Sequence, residues 1–315
     1  MGVLLPCLLF SAAEKLMPPK LPQESISMTQ QQTQPTQQTS VAKLTVTVLT
    51  NDGTVDEMNM DAYLTGVLLR EMPTDFHMEA LKAQAVVART YALKRHTTGQ
   101  KHLAGAVCTE SACCQGYQTV ESFISSGGSQ EVVDKISAAV ESTAEQVITY
   151  NSALIDATYF SCSGGKTEDA LAVWGTDIPY LQAVDSPGEE NATHFADSVK
   201  FTAKEFAARL EINSVGPPAT WFGEVSYTQG GGVDTMVIAG KTYKGTQLRQ
   251  KLGLRSTAFT VLPVGDSIHV TTKGFGHRVG MSQYGAEAMA VGGNSYQQIL
   301  SHYYPGTQLT SYQEN

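Results

Sequence analysis

The run Glu79-Ala80-Leu81-Lys82-Ala83-Gln84-Ala85-Val86-Val87-Ala88-Arg89-Thr90-Tyr91-Ala92 constrains the fold more than any other segment. Leu81, Ala85, Ala88 and Ala92 recur at helical spacing, which predicts a helix from about Met78 to His96. So much alanine lets a helix pack very close to a neighbour, so this one reads as buried. Lys82, Arg89 and Arg95 could form a basic wall along one flank of it, the alternative being a buried helix with solvated cations. A shorter helix precedes it, opening at Asp61, carrying Leu64, Val67 and Leu68, and stopped by Pro73. A third is expected over Asp134–Glu145. Leu44, Val46 and Val48 alternate with Thr45 and Thr47 as a strand, followed by the turn Asn51-Asp52-Gly53. Ala153–Phe160 reads as a strand running into Ser161-Cys162-Ser163-Gly164-Gly165. Thr202-Ala203-Lys204-Glu205 is a capping box opening a helix through Leu210. Two strand-like runs flank Gly230-Gly231-Gly232 as a hairpin, and Gly253 stops a short helix over Gln247–Leu252. A strand over Ser267–Thr272 leads into the glycine-rich loop Gly274–Gly280 and a helix through about Val291. Helices and strands mix without regular βαβ alternation. The expected fold is therefore α+β: one mixed domain over 43–315 with a substrate cleft, and a smaller strand-rich insertion around 200–265.

Charge narrows the partners. Lys and Arg number 21 against 30 Asp and Glu, a net charge of −9, which argues against nucleic acid held through its phosphates. Charged residues are only 16% of the chain, against about 25% in ordinary soluble domains, which suits a secreted or wall-facing surface. Gly2–Ala13 has the length of a signal-peptide apolar core, with small residues at Ser11-Ala12-Ala13 but no basic start; residues 1–13 are read as an export signal or the remnant of an anchor. Residues 14–42, rich in Pro, Gln, Thr and Ser, are read as a disordered linker.

Four motifs carry chemistry. In Arg70-Glu71-Met72-Pro73 the carboxyl of Glu71 sits at the last turn of its helix, where the dipole disfavours charge; a carboxyl kept protonated near neutrality is what a general acid needs. The alternative is a surface ion pair. The helix carrying Lys82 and Arg89 is the second. The third is His102-Leu103-Ala104-Gly105-Ala106-Val107-Cys108-Thr109-Glu110-Ser111-Ala112-Cys113-Cys114. Its imidazole and thiols are ligand types that zinc prefers. His102, Cys108, Cys113 and Cys114 make four, or three if vicinal cysteines do not share one ion, the alternative being free or disulfide-linked thiols. The fourth is Gly274-Phe275-Gly276-His277-Arg278-Val279-Gly280-Met281-Ser282-Gln283-Tyr284, a dense polar set at a strand-to-helix junction. It lacks the Gly-Lys-Ser/Thr of a phosphate loop and the G-x-S-x-G of a hydrolase elbow.

The runs REMPTDFHMEALKAQAVVARTYAL (70–93), YFSCSGGKTEDALAVWGTDIPYLQAVDSP (159–187) and GFGHRVGMSQYGAEAMAVGGNSYQQILSHYYPGT (274–307) resemble the stage II sporulation protein D family, which also includes proteins described as amidase enhancers. The similarity spans about residues 43–310. It implies a peptidoglycan lytic transglycosylase acting in engulfment during sporulation, cutting the MurNAc–GlcNAc bond of glycan strands, with Glu71 as the catalytic glutamate. Ordinary glycoside hydrolysis uses two carboxylates. The resemblance implies one, which protonates the glycosidic oxygen and then takes a proton from the sugar's own 6-hydroxyl as that oxygen closes a 1,6-anhydro ring. Glu79, the nearest other acid, is expected to cap or pair. Lys82, Arg89, Tyr159, Ser163, His277, Ser282, Gln283 and Tyr284 are expected to line the cleft and bind sugar hydroxyls and N-acetyl groups.

The family pattern of a Cys followed by Cys-Gln-x-Tyr, with His before the second Cys, matches Cys108 and Cys114-Gln115-Gly116-Tyr117, with Cys113 in the place of that His. This implies a structural zinc. The usual G-H-G-V-G reads Gly276-His277-Arg278-Val279-Gly280 here, so Arg278 stands where a glycine is usual. The resemblance also implies an extracytoplasmic protein, secreted or anchored through its N-terminus at the forespore-engulfment interface, with glycan strands and other cell-wall hydrolases or engulfment anchors as partners. Two other readings stand beside it: a glycan-binding enhancer of a separate amidase that cuts nothing, and a zinc hydrolase.

Overall fold

In the computed structural model, which describes residues 44–312 apart from 100, 103, 104, 214 and 215, the chain opens on a hairpin. β1 (Thr45–Leu49) buries Val46 and Val48 on one face and pairs antiparallel with β2 (Val55–Asn59). The Asp52 carboxylate closes the turn by accepting from the Thr50 hydroxyl and the Thr54 N–H. Asn59, not Asp61, caps α1 (Met60–Glu71): its side chain accepts from the Asp61 and Ala62 N–H groups, and Asp61 joins the first turn. Met72 is extended at ψ 140° and ends α1, as the residue before a proline is driven to do.

α2 (Met78–Thr98) is the alanine-rich helix. Of its residues from Ala80 to Leu93 only Lys82 is not buried. It runs two residues past the expected His96 and ends where Gly99 turns left-handed at φ 60°. Small side chains let α2 touch α1, the helix over Gln130–Glu141 and two C-terminal helices at once, so the larger core is assembled around it. β3 (Val107–Cys108) joins β1 in parallel. α3 (Val120–Ser125) and α4 (Gln130–Glu141) follow. The helix expected from Asp134 begins at Gln130 because Ser129 Oγ accepts the Val132 N–H, and it stops before Glu145, which has a φ of 62°.

The single strand expected over Ala153–Phe160 is two. β4 (Gln146–Tyr150) folds back on β5 (Ala153–Leu154) through Asn151 and Ser152, both left-handed, while β6 (Tyr159–Phe160) pairs elsewhere. After α5 (Ala170–Trp174) come β7 (Ala196–Thr202), α6 (Ala203–Leu210), β8 (Phe222–Tyr227), β9 (Val233–Ile238), β10 (Lys241–Lys244), α7 (Gly245–Leu252), β11 (Phe259–Val264) and β12 (Ser267–Lys273). The Thr202–Glu205 capping box forms in full. These elements make two three-stranded antiparallel sheets, β10-β9-β8 and β11-β12-β7, around a smaller core of Phe201, Phe206, Leu210, Trp221, Ile238 and Leu248. β13 (Met281–Ser282), α8 (Gln283–Val291), α9 (Tyr296–Tyr303) and β14 (Gln308–Ser311) return to the larger core, β14 pairing with β4.

Nine helices and fourteen strands in several small sheets, counted among the described residues, make the fold α+β. The expected export segment 1–13 and linker 14–42 lie outside the described residues. Among the described residues no helix is long and apolar enough to cross a membrane.

Candidate active site and metal centre

Three segments far apart in sequence meet at the C-terminal end of α1. The parallel β6–β13 pairing sets Tyr159 beside Met281 and Phe160 beside Ser282. Gln283, at the start of α8, donates from Nε2 to the Glu71 carbonyl oxygen at 3.2 Å. The cleft formed there has a volume of about 560 Å³ and is lined by Glu71, Tyr91, Arg95, Tyr159, Trp174, Phe275, His277 and Gln283, among others. Glu71 is the only carboxylate among its described lining residues. The Gly116 N–H donates to Glu71 Oε1, while Oε2 takes no hydrogen bond from any described residue. A side chain at position 116 would not fit: its Cβ would lie within 3.0 Å of Ser111 Oγ, Glu71 Oε1 and Arg70 Cγ together.

Beneath the cleft, Tyr63 donates to Gln115 Oε1 at 3.1 Å, and Gln115 Nε2 donates to the Tyr159 hydroxyl oxygen at 3.4 Å. Burial, then the charge of Glu71, pushes the Tyr159 phenol well above its ordinary range. Tyr159 therefore stays protonated, accepts from Gln115, and keeps its own proton for the cleft. Gln115 is fully buried. His277 Nδ1 accepts the Val279 N–H at 3.1 Å, which places the ring proton on Nε2. Burial of the ring against Phe160 and Trp174, followed by the charge of Arg249, lowers its pKa to about 4, so the imidazole is neutral near pH 7. Trp174 is 45% exposed and offers an aromatic face at the cleft wall.

Cys113 and Cys114 form another part of the same wall. The ligand atoms of His102, Cys108, Cys113 and Cys114 all lie within 4.8 Å of one another, with Cys113 Sγ 3.5 Å from His102 Nε2. A zinc tetrahedron with Zn–S bonds of about 2.3 Å has edges of about 3.8 Å, so small rotamer changes would close this set on an ion. Burial pushes the Cys108 thiol up to about 11. Burial acts on Cys113 in the same sense, but hydrogen bonds from Cys108 and Lys101 outweigh it and the net shift is downward. The donor set fits a metal of zinc's preferences, and the loop that carries it runs on into Gln115, which contacts Tyr159 beneath the cleft, and Gly116, which holds Glu71.

A family model described as stage II sporulation protein matches residues 50–150. Over 266 residues the chain is 40% identical to stage II sporulation protein D of Bacillus subtilis (strain 168), covering 83% of this chain and 77% of the relative. The chain belongs to the stage II sporulation protein D family. The Bacillus amyloliquefaciens protein of the same name is 37% identical over the same shares. The amidase enhancer of B. subtilis is 28% identical over 79% of this chain but only 40% of its own length.

Within this sporulation protein D fold the expected site residues divide. Glu71, Tyr159, His277 and Gln283 share the cleft. Lys82 does not line it: at the α2–α9 junction it pairs with Glu79 at 2.8 Å, and Glu79 also accepts the Tyr296 N–H, so Glu79 is the pairing acid expected. Arg89 does not line it either. Its guanidinium is buried and donates to the carbonyls of Val140, Thr143 and Gln146, satisfying the C-terminal end of α4. Of the expected basic wall only Arg95 reaches the cleft, and its guanidinium pairs with Asp156, which is not among the lining residues, at 3.5 Å. Ser163 is buried behind it, its Oγ and N–H both donating to Glu189. Ser282 caps α8, and Tyr284 packs edge-on against Phe76 outside the cleft. Trp174 and Gln115 are cleft or support residues not named from the sequence; the motif Cys114-Gln115-Gly116-Tyr117 is the signal for Gln115, read there for its metal ligand alone.

Arg278, at the usual glycine position, keeps the glycine's backbone with a φ of 67°. Its buried guanidinium meets Glu168 Oε1 at 3.1 Å and donates to the carbonyls of Ser163, Lys166 and Gly230. Glu168 Oε1 also accepts from Thr228 and the Gly232 N–H. The pair thus ties the cleft loop to the β8–β9 hairpin of the smaller core.

Proposed function

We propose that this chain is a peptidoglycan lytic transglycosylase acting in engulfment during sporulation, extracytoplasmic and working beside other cell-wall hydrolases. The observation that carries the reading is a single carboxylate among the described lining residues: Glu71 enters the cleft with one oxygen held by Gly116 and the other without a hydrogen bond from any described residue. A two-carboxylate hydrolase needs a second acid across the bond to activate water or form a covalent intermediate. One carboxyl suffices when the nucleophile is the substrate's own 6-hydroxyl. Glu71 protonates the glycosidic oxygen of a MurNAc–GlcNAc linkage, and its carboxylate then accepts the 6-hydroxyl proton as that oxygen bonds to the anomeric carbon, leaving a 1,6-anhydro end. Tyr159 donates a hydrogen bond to the sugar, neutral His277 lines the cleft beside it, and Trp174 supplies a stacking face. Product analysis of peptide-free glycan strands by mass spectrometry tests this: 1,6-anhydro ends are expected, and ordinary reducing ends would sink it. The relative named amidase enhancer favours a second reading, a glycan-binding stimulator of a separate amidase; intact strands after incubation would point there.

His102, Cys108, Cys113 and Cys114 would hold a zinc as a closed structural site, which supplies a clip for the loop rather than a water position. Purified protein should carry about one zinc per chain. Cys108→Ser and Cys114→Ser should lose it, whereas Cys162→Ser, whose buried thiol donates to Glu189 instead, should keep it. Chelation should lower thermal stability and activity together, with both returning on adding zinc. Elemental analysis near zero with a Cys108–Cys114 disulfide on peptide mapping would replace the metal with an oxidised loop.

A further inference from the structure

Beside the cleft lies a second cavity, of about 570 Å³, that the mechanism above does not use. The two share Ser111 and Ala112 as a common rim. Gly116 lies against one residue of each, with Ser111 Oγ, Glu71 Oε1 and Arg70 Cγ crowding the place a Cβ would take. Successive helical residues point about 100° apart, so the last turn of α1 sends Glu71 into the cleft and Arg70 into the second cavity. The Arg70 side chain is exposed and has neither ion pair nor hydrogen bond among the described residues. The cations of the cleft are engaged, Arg95 with Asp156 and Lys101 with the Cys113 carbonyl. The remaining lining is rich in hydroxyls and amides, including Tyr117, Gln118 and Ser122. Glu110 lies there too, beyond ion-pair distance of Arg70, as an acceptor for hydroxyls.

We propose that this cavity is a subsite for a further sugar of the same glycan strand, and that Arg70 binds a carboxylate borne by that sugar. The proposal rests on the glycan-strand reading of the cleft. A guanidinium fork matches a carboxylate in two parallel hydrogen bonds, and hydroxyl and amide side chains suit a pyranose with an acetamido group. The carboxylate has two chemical sources: the free lactyl group of a peptide-free muramic acid, or a terminal carboxylate of a stem peptide.

Binding, measured by calorimetry in a Glu71→Gln background, separates these without requiring turnover. The ligands are peptide-free glycan, peptide-bearing glycan and a neutral chito-oligosaccharide of equal length. Adding Arg70→Gln should weaken an acidic strand about tenfold in Kd at low salt, the size of one charge-assisted contact, and leave the chito-oligosaccharide within about twofold. Loss on peptide-free strands alone assigns the lactyl carboxylate; loss on peptide-bearing strands alone assigns the peptide's. Arg70→Lys should retain part of the affinity, and Glu110→Gln should not weaken acidic strands. Equal loss on the neutral oligosaccharide, or none on either acidic strand, overturns the subsite. If no glycan binds at all, the cleft reading falls with it. Charge-selective loss in a protein that yields no anhydro product keeps the subsite and fails only the transglycosylase step.

Discussion

Glu71→Gln should abolish glycan cleavage while leaving fold and glycan binding in place. The amide is nearly isosteric, and its oxygen can still accept the Gly116 N–H that orients the carboxylate. The backbone carbonyl of residue 71 still receives Gln283. What is lost is the acidic proton and the base that follows it. General acid–base catalysis contributes about 10²–10⁴-fold. With one group serving both halves of the reaction and no second carboxylate in the described cleft lining, the loss should lie at the upper end of that range or above. Turnover on peptide-free glycan and binding by calorimetry check both halves. Wild-type turnover in the Gln variant would remove Glu71 from the acid's role.

Arg278→Ala should destabilise the protein by about 3–5 kcal/mol, the usual cost of removing one partner from a buried ion pair. Arg278 and Glu168 are 2% and 1% exposed at the side chain, so removing the guanidinium leaves a buried carboxylate without its cation and the Ser163, Lys166 and Gly230 carbonyls without their donor. Arg278→Gly removes the same contacts but relieves the left-handed backbone, which costs a non-glycine residue about 1–2 kcal/mol. It should therefore be less harmful than alanine yet still below wild type. Pairing Arg278→Gly with Glu168→Gln should recover part of the remainder, since the carboxylate no longer has to be buried charged. Urea midpoints of the four proteins give the answer. An Arg278→Gly variant as stable as wild type would mean that the pair contributes nothing net.

Legibility in the sequence followed the range of the interaction. The extent of α2, the capping box at Thr202 and Glu205 and the stop at Pro73 depend on residues within a turn or two, and the pattern alone placed them. For Glu71 the adjoining proline and helix end left a surface ion pair open as the alternative, and its role came from the resemblance; the structure brings the side chain into the cleft. Helical spacing could set Lys82 and Arg89 on one helix, but not tell that Arg89 faces the end of α4, whose carbonyls lie fifty residues later. The same limit hid Trp174, which reaches the cleft only through the fold, and Glu168, 110 positions from Arg278. Ser163 and Ser282 looked like ligand-binding hydroxyls in a polar run; buried acceptors and a bare helix end claimed them first.

The acid of this protein is held at its side chain by residue 116 and at its backbone by residue 283. Synthesis runs from the N-terminus, so Glu71 is made long before Gln283 exists to hold it. A nascent or truncated chain carries the acid but not the second of its two clamps, and two strands of two residues each, β6 and β13, must find one another before the cleft closes around it. For a protein whose proposed target is the wall of the cell that makes it, the order of the chain delays the proposed acid: Glu71 gains both of its clamps only after Gln283 has been made.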